Sequence, residues 1–133
     1  MYVTAAQDLL KVRARLEVWD GPAGPADGFD DVLAFRLTCP SGILQMGDGS
    51  GTAVGGIDLP GGPGMYTTQV QNRGRADARA ALRRLDERMM SSPSAAWPEL
   101  FAPYEGTEEY LIRVWFSEPL PDDYDDEADL YEV

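Results

Sequence analysis

The sequence has no histidine, one cysteine and one lysine among its 133 residues. Without histidine, the Ser-His and Cys-His arrangements that activate a nucleophile are excluded. Zinc is excluded as well, because neither histidine nor a pair of cysteines is available to bind it. Cys39 alternates with apolar residues, so we expect a buried, inert thiol without a disulfide, in a reducing cytoplasm. These absences predict a protein that is not an enzyme and carries no cofactor or metal.

The chain also lacks a long apolar run and an excess of positive charge. No stretch of about 18 apolar residues is present to cross a membrane, and the first residues lack the layout of a signal peptide. The formal net charge of −12 opposes binding to the phosphates of nucleic acid and to anionic membranes. We therefore expect no direct nucleic-acid partner, no membrane contact and a basic protein as partner.

Alternation of apolar and polar residues is the strongest pattern that is present. From Leu10 to Trp19 it is strict, which is typical of a half-buried strand. Further strands are predicted at residues 32–39, 43–46, 54–59, 65–72 and 109–116, separated by Gly/Pro turns. Their short connections predict a mainly β fold, an antiparallel β-sandwich of about six to eight strands, as one domain over residues 1–121.

One surface helix is predicted over about residues 76–90. Its apolar stripe has the spacing i, i+4, i+7 and i+11 and consists of Ala78, Leu82, Leu85 and Met89. A proline-rich loop with Trp97, Phe101 and Tyr104 follows, and we expect it to pack over one end of the core. If the loop instead presents its rings to solvent, it is a candidate platform for a small molecule or a carbohydrate.

Two charged segments stand out as candidate binding surfaces. Residues 122–133 form an acidic tail with seven carboxylates and no basic side chain, whereas residues 73–88 carry six of the ten arginines. Each segment is either solvated or a docking surface. The tail could dock a partner as a mimic of a phosphate backbone, and the arginines could bind carboxylates of a partner or of the tail. The candidate partner-binding residues are Asp122, Asp123, Asp125, Asp126, Glu127, Asp129, Arg75, Arg79 and Arg83.

Two pairs of adjacent carboxylates are the remaining candidates for chemistry. Asp30–Asp31 and Glu108–Glu109 contain the residue type that glycoside hydrolysis uses in pairs. Both pairs stand at the predicted start of a strand, so we expect solvated strand ends without a catalytic role. Oxygen-rich stretches such as residues 27–31 do not match the spacing of a calcium-binding loop.

Four short motifs resemble a family of small actinobacterial proteins. They are EVWDGP (residues 17–22), DLP with a following Gly and Tyr (58–66), RGR (73–75) and EEYLIRVWF (108–116). More distantly, the DLP–G–Y strand pair and the late tyrosine-containing strand resemble the competence protein J family, which contains a nuclease inhibitor with a β-sandwich fold. The resemblance covers about residues 10–116. It implies a cytoplasmic inhibitor or immunity-type partner of a basic protein such as a nuclease; the alternative is the small-molecule or carbohydrate-binding module.

Overall fold

A computed structural model describes residues 4–7, 9–47 and 53–124, and the structural statements below concern these residues. Strands predominate, which confirms the mainly β prediction. The strands are β1 (Arg13–Trp19), β2 (Asp30–Cys39), β3 (Ile43–Gly47), β4 (Ala53–Asp58), β5 (Gly64–Arg73) and β6 (Glu109–Glu118). The helices are α1 (Arg75–Met90) and α2 (Trp97–Phe101), and short 3₁₀ turns precede and follow α2.

The strands form two sheets. The larger has the order β1-β6-β5-β2, and the smaller pairs β3 with β4. The β3–β4 pair is antiparallel, with Ile43 opposite Asp58 and an irregularity between Met46 and Gly47. The segments that lead into β1 and β6 instead run parallel. Two backbone hydrogen bonds show this: Gly106 N donates to Lys11 O (2.9 Å) and, further along both segments, Arg13 N donates to Glu108 O (3.0 Å). The prediction of antiparallel pairing throughout therefore does not hold here.

Each predicted strand is present, and the largest difference in its bounds lies at the start of β1. The alternation predicted a strand from Leu10, whereas β1 begins at Arg13. Leu10 is 4% exposed and packs among residues of α1, while Val12 is 41% exposed. The first apolar residue of the alternating run therefore belongs to the core under the helix, which periodicity alone could not distinguish.

Strand β6 is the most deeply buried element of the larger sheet. Leu111 is 1% exposed and Val114 is 0% exposed, although their side chains point to opposite faces. Its position between β1 and β5 explains why the strand has two apolar faces. Phe116, which the alternation places on the inward face, is 39% exposed.

The predicted surface helix is confirmed as α1, which begins one residue earlier than expected. Ala78, Ala81 and Leu85 are buried with Leu10. Around them lie the partly buried residues Leu82, Met89, Leu100, Phe101 and Tyr104. The prediction of a single helix is wrong, because Trp97–Phe101 is helical. Pro98 lies in the first turn of α2, where a missing N–H costs no hydrogen bond, so proline content did not exclude a helix.

The described chain divides into two compact units. The first contains the residues up to Glu17, with Gly24–Leu33 and Gln69–Ile112; the second contains Val18–Ala23, Ala34–Thr68 and the residues from Arg113 onward. Among the described residues, no helix has the length and apolar content needed to cross a membrane. We call the second of these the acidic unit, because carboxylates far outnumber arginines in its sequence ranges.

Tight turns fix the local geometry in each unit. In the first unit, Gly74 joins β5 to α1 with a φ of 78°, and a Cβ there would lie 1.7 Å from the carbonyl oxygen of Thr107. Only glycine fits this position. In the acidic unit, a Cβ at Gly64 would lie 2.5 Å from the Phe116 ring, whose edge meets Tyr66 at a centroid distance of 5.5 Å. The Pro/Gly motif of residues 60–64 therefore leaves room for this aromatic pair.

Candidate functional site

The arginine segment that the sequence singled out is divided between internal and surface roles. Arg73 and Arg75, which flank the turn at Gly74, each pair with a buried glutamate. Arg79 donates to the carbonyl oxygen of Ala6 at 3.3 Å. Arg83 is exposed on α1. The three arginines are spaced four residues apart, so they lie along one face of α1. Arg75 is engaged internally, whereas Arg79 and Arg83 are exposed.

Glu108 is the centre of the first internal cluster. The residue is 1% exposed, and its carboxylate accepts hydrogen bonds from the Tyr110 hydroxyl and from Gln7 Nε2 (3.1 Å). Arg75 Nη1 lies 3.8 Å from Glu108 Oε2 and donates to the Tyr110 oxygen. Burial raises the pKa of Tyr110, and the hydrogen bond to Glu108 and the negative charge of Glu108 raise it further. The Arg75 guanidinium lowers this pKa and so opposes these effects.

This cluster holds the segment that precedes β1 through that segment's backbone. The Ala6 N–H donates to Glu108 Oε2 at 2.7 Å, and the Thr4 carbonyl oxygen accepts from Arg75 Nη1 at 2.8 Å. Gln7 Oε1 accepts from the Leu10 N–H at 2.6 Å, which turns the chain toward the core. Because the contacts use backbone atoms and Gln7, this arrangement has an evident structural role in fixing the N-terminal segment.

Glu109 forms a second buried pair on the same strand. Its side chain is 4% exposed and accepts from Arg73 Nε (3.1 Å) and Nη2 (2.6 Å), a two-pronged contact. The Arg73 guanidinium also lies over the Phe29 ring, 4.4 Å from its centroid. The pair therefore links β5 to β6 and to Phe29, the residue before β2.

These contacts correct the interpretation of Glu108–Glu109 as a solvated strand end. Both residues are buried, and each carboxylate is neutralised by its own arginine, an arrangement that stabilises the fold and leaves neither one open to a substrate. The signal in the sequence was the RGR at the end of β5, which supplies both cations. Only the order of β5 beside β6 brings the two motifs together. Asp30 is exposed, as expected, and the side chain of Asp31 lies outside the described set.

The aromatic residues of the other candidate site are engaged in packing. Trp97 Nε1 donates to the carbonyl oxygen of Met89 at 3.1 Å, and its ring lies 6.4 Å from that of Phe101. Phe101 and Tyr104 pack against the core beneath α1. Next to them lies a shallow apolar groove with a polar edge, lined by Leu9, Leu82, Arg83, Asp86 and Met89. The three rings are therefore half-buried and take part in packing, as expected for this segment.

The acidic unit has the opposite charge balance. Over residues 18–23, 34–68 and 113–133 the sequence has eleven carboxylates and two arginines, a net charge of −9; the rest of the chain has −3. Both arginines contact residues of their own unit: Arg36 pairs with Glu118, and Arg113 lies over the Trp19 ring, 4.6 Å from its centroid. Among the described residues of this unit five carboxylates are exposed: Glu118, which Arg36 pairs with, and Asp20, Asp58, Asp122 and Asp123.

The predicted tail residues are only partly within the described chain. Asp122 and Asp123 form an exposed turn, in which the Tyr124 N–H donates to the Pro121 carbonyl oxygen at 3.0 Å. Asp125, Asp126, Glu127 and Asp129 lie outside the described residues. Among the residues that are described, no three His, Cys, Asp or Glu side chains are grouped closely enough to hold a metal ion.

Comparisons with known proteins identify no relative. No family model matches the chain, and neither a curated protein nor a solved structure matches it. The resemblance to small actinobacterial proteins and to competence protein J therefore stays a prediction from the motifs. The functional conclusion rests on the charge of the sequence and on the exposure of the described residues.

Proposed function

We propose that this chain is a binding protein whose acidic unit docks on a basic protein. The observation that carries the proposal is the uncompensated charge of that unit, −9 over its sequence ranges with two arginines that both contact residues of the unit itself. Apart from Glu118, which pairs with Arg36, its exposed carboxylates among the described residues are Asp20, Asp58, Asp122 and Asp123. A surface of this kind attracts cationic partners and speeds their association.

The resemblance to a nuclease-inhibitor family supports an inhibitor or immunity-type role. A nuclease binds an anionic backbone in a basic groove, and a carboxylate-rich surface can occupy such a groove as a mimic of the phosphates. The tail residues Asp125, Asp126, Glu127 and Asp129 would extend this surface. The cytoplasmic location and the packing of the two sheets as a β-sandwich stay predictions.

The proposal is tested by capture of partners from a lysate of the source cells on the full-length chain. One variant neutralises four exposed carboxylates of the acidic unit (D20N, D58N, D122N and D123N) and keeps Glu118, which Arg36 pairs with. A matched control neutralises four exposed carboxylates of the first unit (D77N, D86N, E87Q and E99Q). Both variants change the net charge from −12 to −8. Any difference between them therefore reflects where the charges lie.

We expect the unmodified chain and the control to retain the same basic protein, which added salt releases, and the acidic-unit variant to retain much less of it. Because salt screens exposed charges over about 10 Å at 0.1 M, release by salt is the signature of this mode of binding. Equal retention by both variants, or retention of a protein without an excess of basic residues, would refute the proposal.

A further inference from the structure

Strand β2 forms an edge of the larger sheet, where its neighbour is β5. One row of its backbone N–H and C=O groups is therefore not paired within that sheet. Natural sheets protect such edges with charged side chains, proline, bulges, very short strands or a covering element. β2 is ten residues long and contains no proline, and no charged residue lies between Val32 and Phe35 in its sequence DDVLAFRLTC. The strand is thus a template on which a further strand can pair.

The exposed side chains of β2 are apolar near its start. Val32 is 49% exposed and Leu33 is 63% exposed, although consecutive residues of a strand point to opposite faces. Apolar surface on both faces of an edge strand would be removed from water if a further strand extended the sheet. Charged side chains flank this apolar part: Asp30 on one side and Arg36 on the other, both exposed.

The order of these residues is self-complementary. If two copies of β2 pair in the antiparallel direction with Leu33 opposite its own equivalent, Asp30 of each copy lies opposite Arg36 of the other. In the same register Val32 faces Ala34. Opposite charges and apolar pairs directly across an antiparallel ladder are stabilising. In a dimer with a two-fold axis, the Asp30–Arg36 and Val32–Ala34 pairs each occur twice.

We propose that β2 pairs with β2 of a second copy of this chain, so that the two larger sheets join across a two-fold axis. Backbone hydrogen bonds between the edges hold the pair, Leu33 forms its apolar centre, and the Asp30–Arg36 contacts set the register. The dimer presents two acidic units, so a partner with two basic sites would be bound with increased avidity.

Sedimentation equilibrium over a range of protein concentrations tests this dimer, independently of any other partner. We expect a concentration-dependent dimer for the unmodified chain and a monomer for the L33K variant. The matched control is I43K, because Ile43 is 48% exposed but belongs to the β3–β4 sheet. Circular dichroism of dilute L33K and I43K verifies that both variants are folded. A monomeric unmodified chain, or a dimer that survives L33K, would overturn the proposal.

Charge exchange tests the register. The single variants D30R and R36D each place like charges opposite one another twice, so the dissociation constant of the dimer should rise by roughly tenfold or more. The double variant D30R/R36D restores opposite charges and should return the constant to within about threefold of the original. Since Arg36 also pairs with Glu118, the E118Q variant measures the loss of that contact alone. Failure of the double variant to recover would contradict the register.

Discussion

Replacing Arg75 by methionine should destabilise the fold, because it removes a guanidinium that faces the buried Glu108 carboxylate. Loss of one partner of a buried ion pair costs about 3–5 kcal/mol. The Arg75 side chain is 32% exposed, and Glu108 keeps hydrogen bonds from Ala6 N and Gln7 Nε2, so solvent screening and these donors reduce the cost. We expect the free energy of unfolding to fall by about 2 kcal/mol.

Urea denaturation measures this loss as a lower midpoint at an unchanged slope. The control is R83M on the same helix, where an exposed arginine should change stability by less than about 0.5 kcal/mol. A double-mutant cycle with E108Q isolates the interaction: in the E108Q background the carboxylate charge is absent, so R75M should cost about 1 kcal/mol less than in the unmodified chain. Equal losses for R75M and R83M, or no coupling with Glu108, would refute the role of this cluster.

Two further predictions follow from local geometry and from the tyrosine pKa shifts. G74A should destabilise the fold by about 3 kcal/mol or more, since the added Cβ would lie 1.7 Å from the Thr107 carbonyl oxygen at a positive φ. G55A is the control and should change the urea midpoint little, because a Cβ there has nothing within 4 Å. Similar midpoints for the two variants would disprove the packing at this turn. Burial raises the pKa values of Tyr66 and Tyr110 above the ordinary value of 10.0, so at a pH between the unfolded and folded pKa values the folded chain holds protons that the unfolded chain has released. Their contribution to stability is thus complete below pH 10 and is lost as the pH rises through the folded pKa values. Ultraviolet titration should show late-ionising tyrosines, fewer of them in Y66F and in Y110F; ionisation of all tyrosines near pH 10 would contradict their burial.

Strand positions could be predicted from the sequence because alternation is a local property. Each predicted strand is present, and α1 begins within one residue of its expected start. Leu10 shows the limit of this reasoning: it continues the alternation of β1, yet it is buried against α1, a contact with residues far along the chain. Helix α2 was missed for a different reason, since Pro98 suggested a loop and in fact lies in the first helical turn.

The internal ion pairs could not be predicted from charge patterns alone. Glu108 and Glu109 stand at the start of a strand, where exposed carboxylates are common, and their burial depends on arginines about 35 residues earlier in the chain. Arg75 was therefore interpreted as a surface cation although the structure engages it internally. The charge of the acidic unit, by contrast, is visible in the sequence, because seven of its eleven carboxylates lie in residues 122–133.

The measurement that tests the central claim most directly is the association rate constant of the captured basic protein with the purified chain at increasing ionic strength. The unmodified chain and the first-unit control, D77N/D86N/E87Q/E99Q, should show rapid association at low salt that slows steeply as salt is added. The acidic-unit variant, D20N/D58N/D122N/D123N, should associate roughly tenfold more slowly at low salt and depend less on ionic strength. If the two four-site variants slow association equally, net charge alone governs the encounter. In that case the acidic unit is not the docking surface.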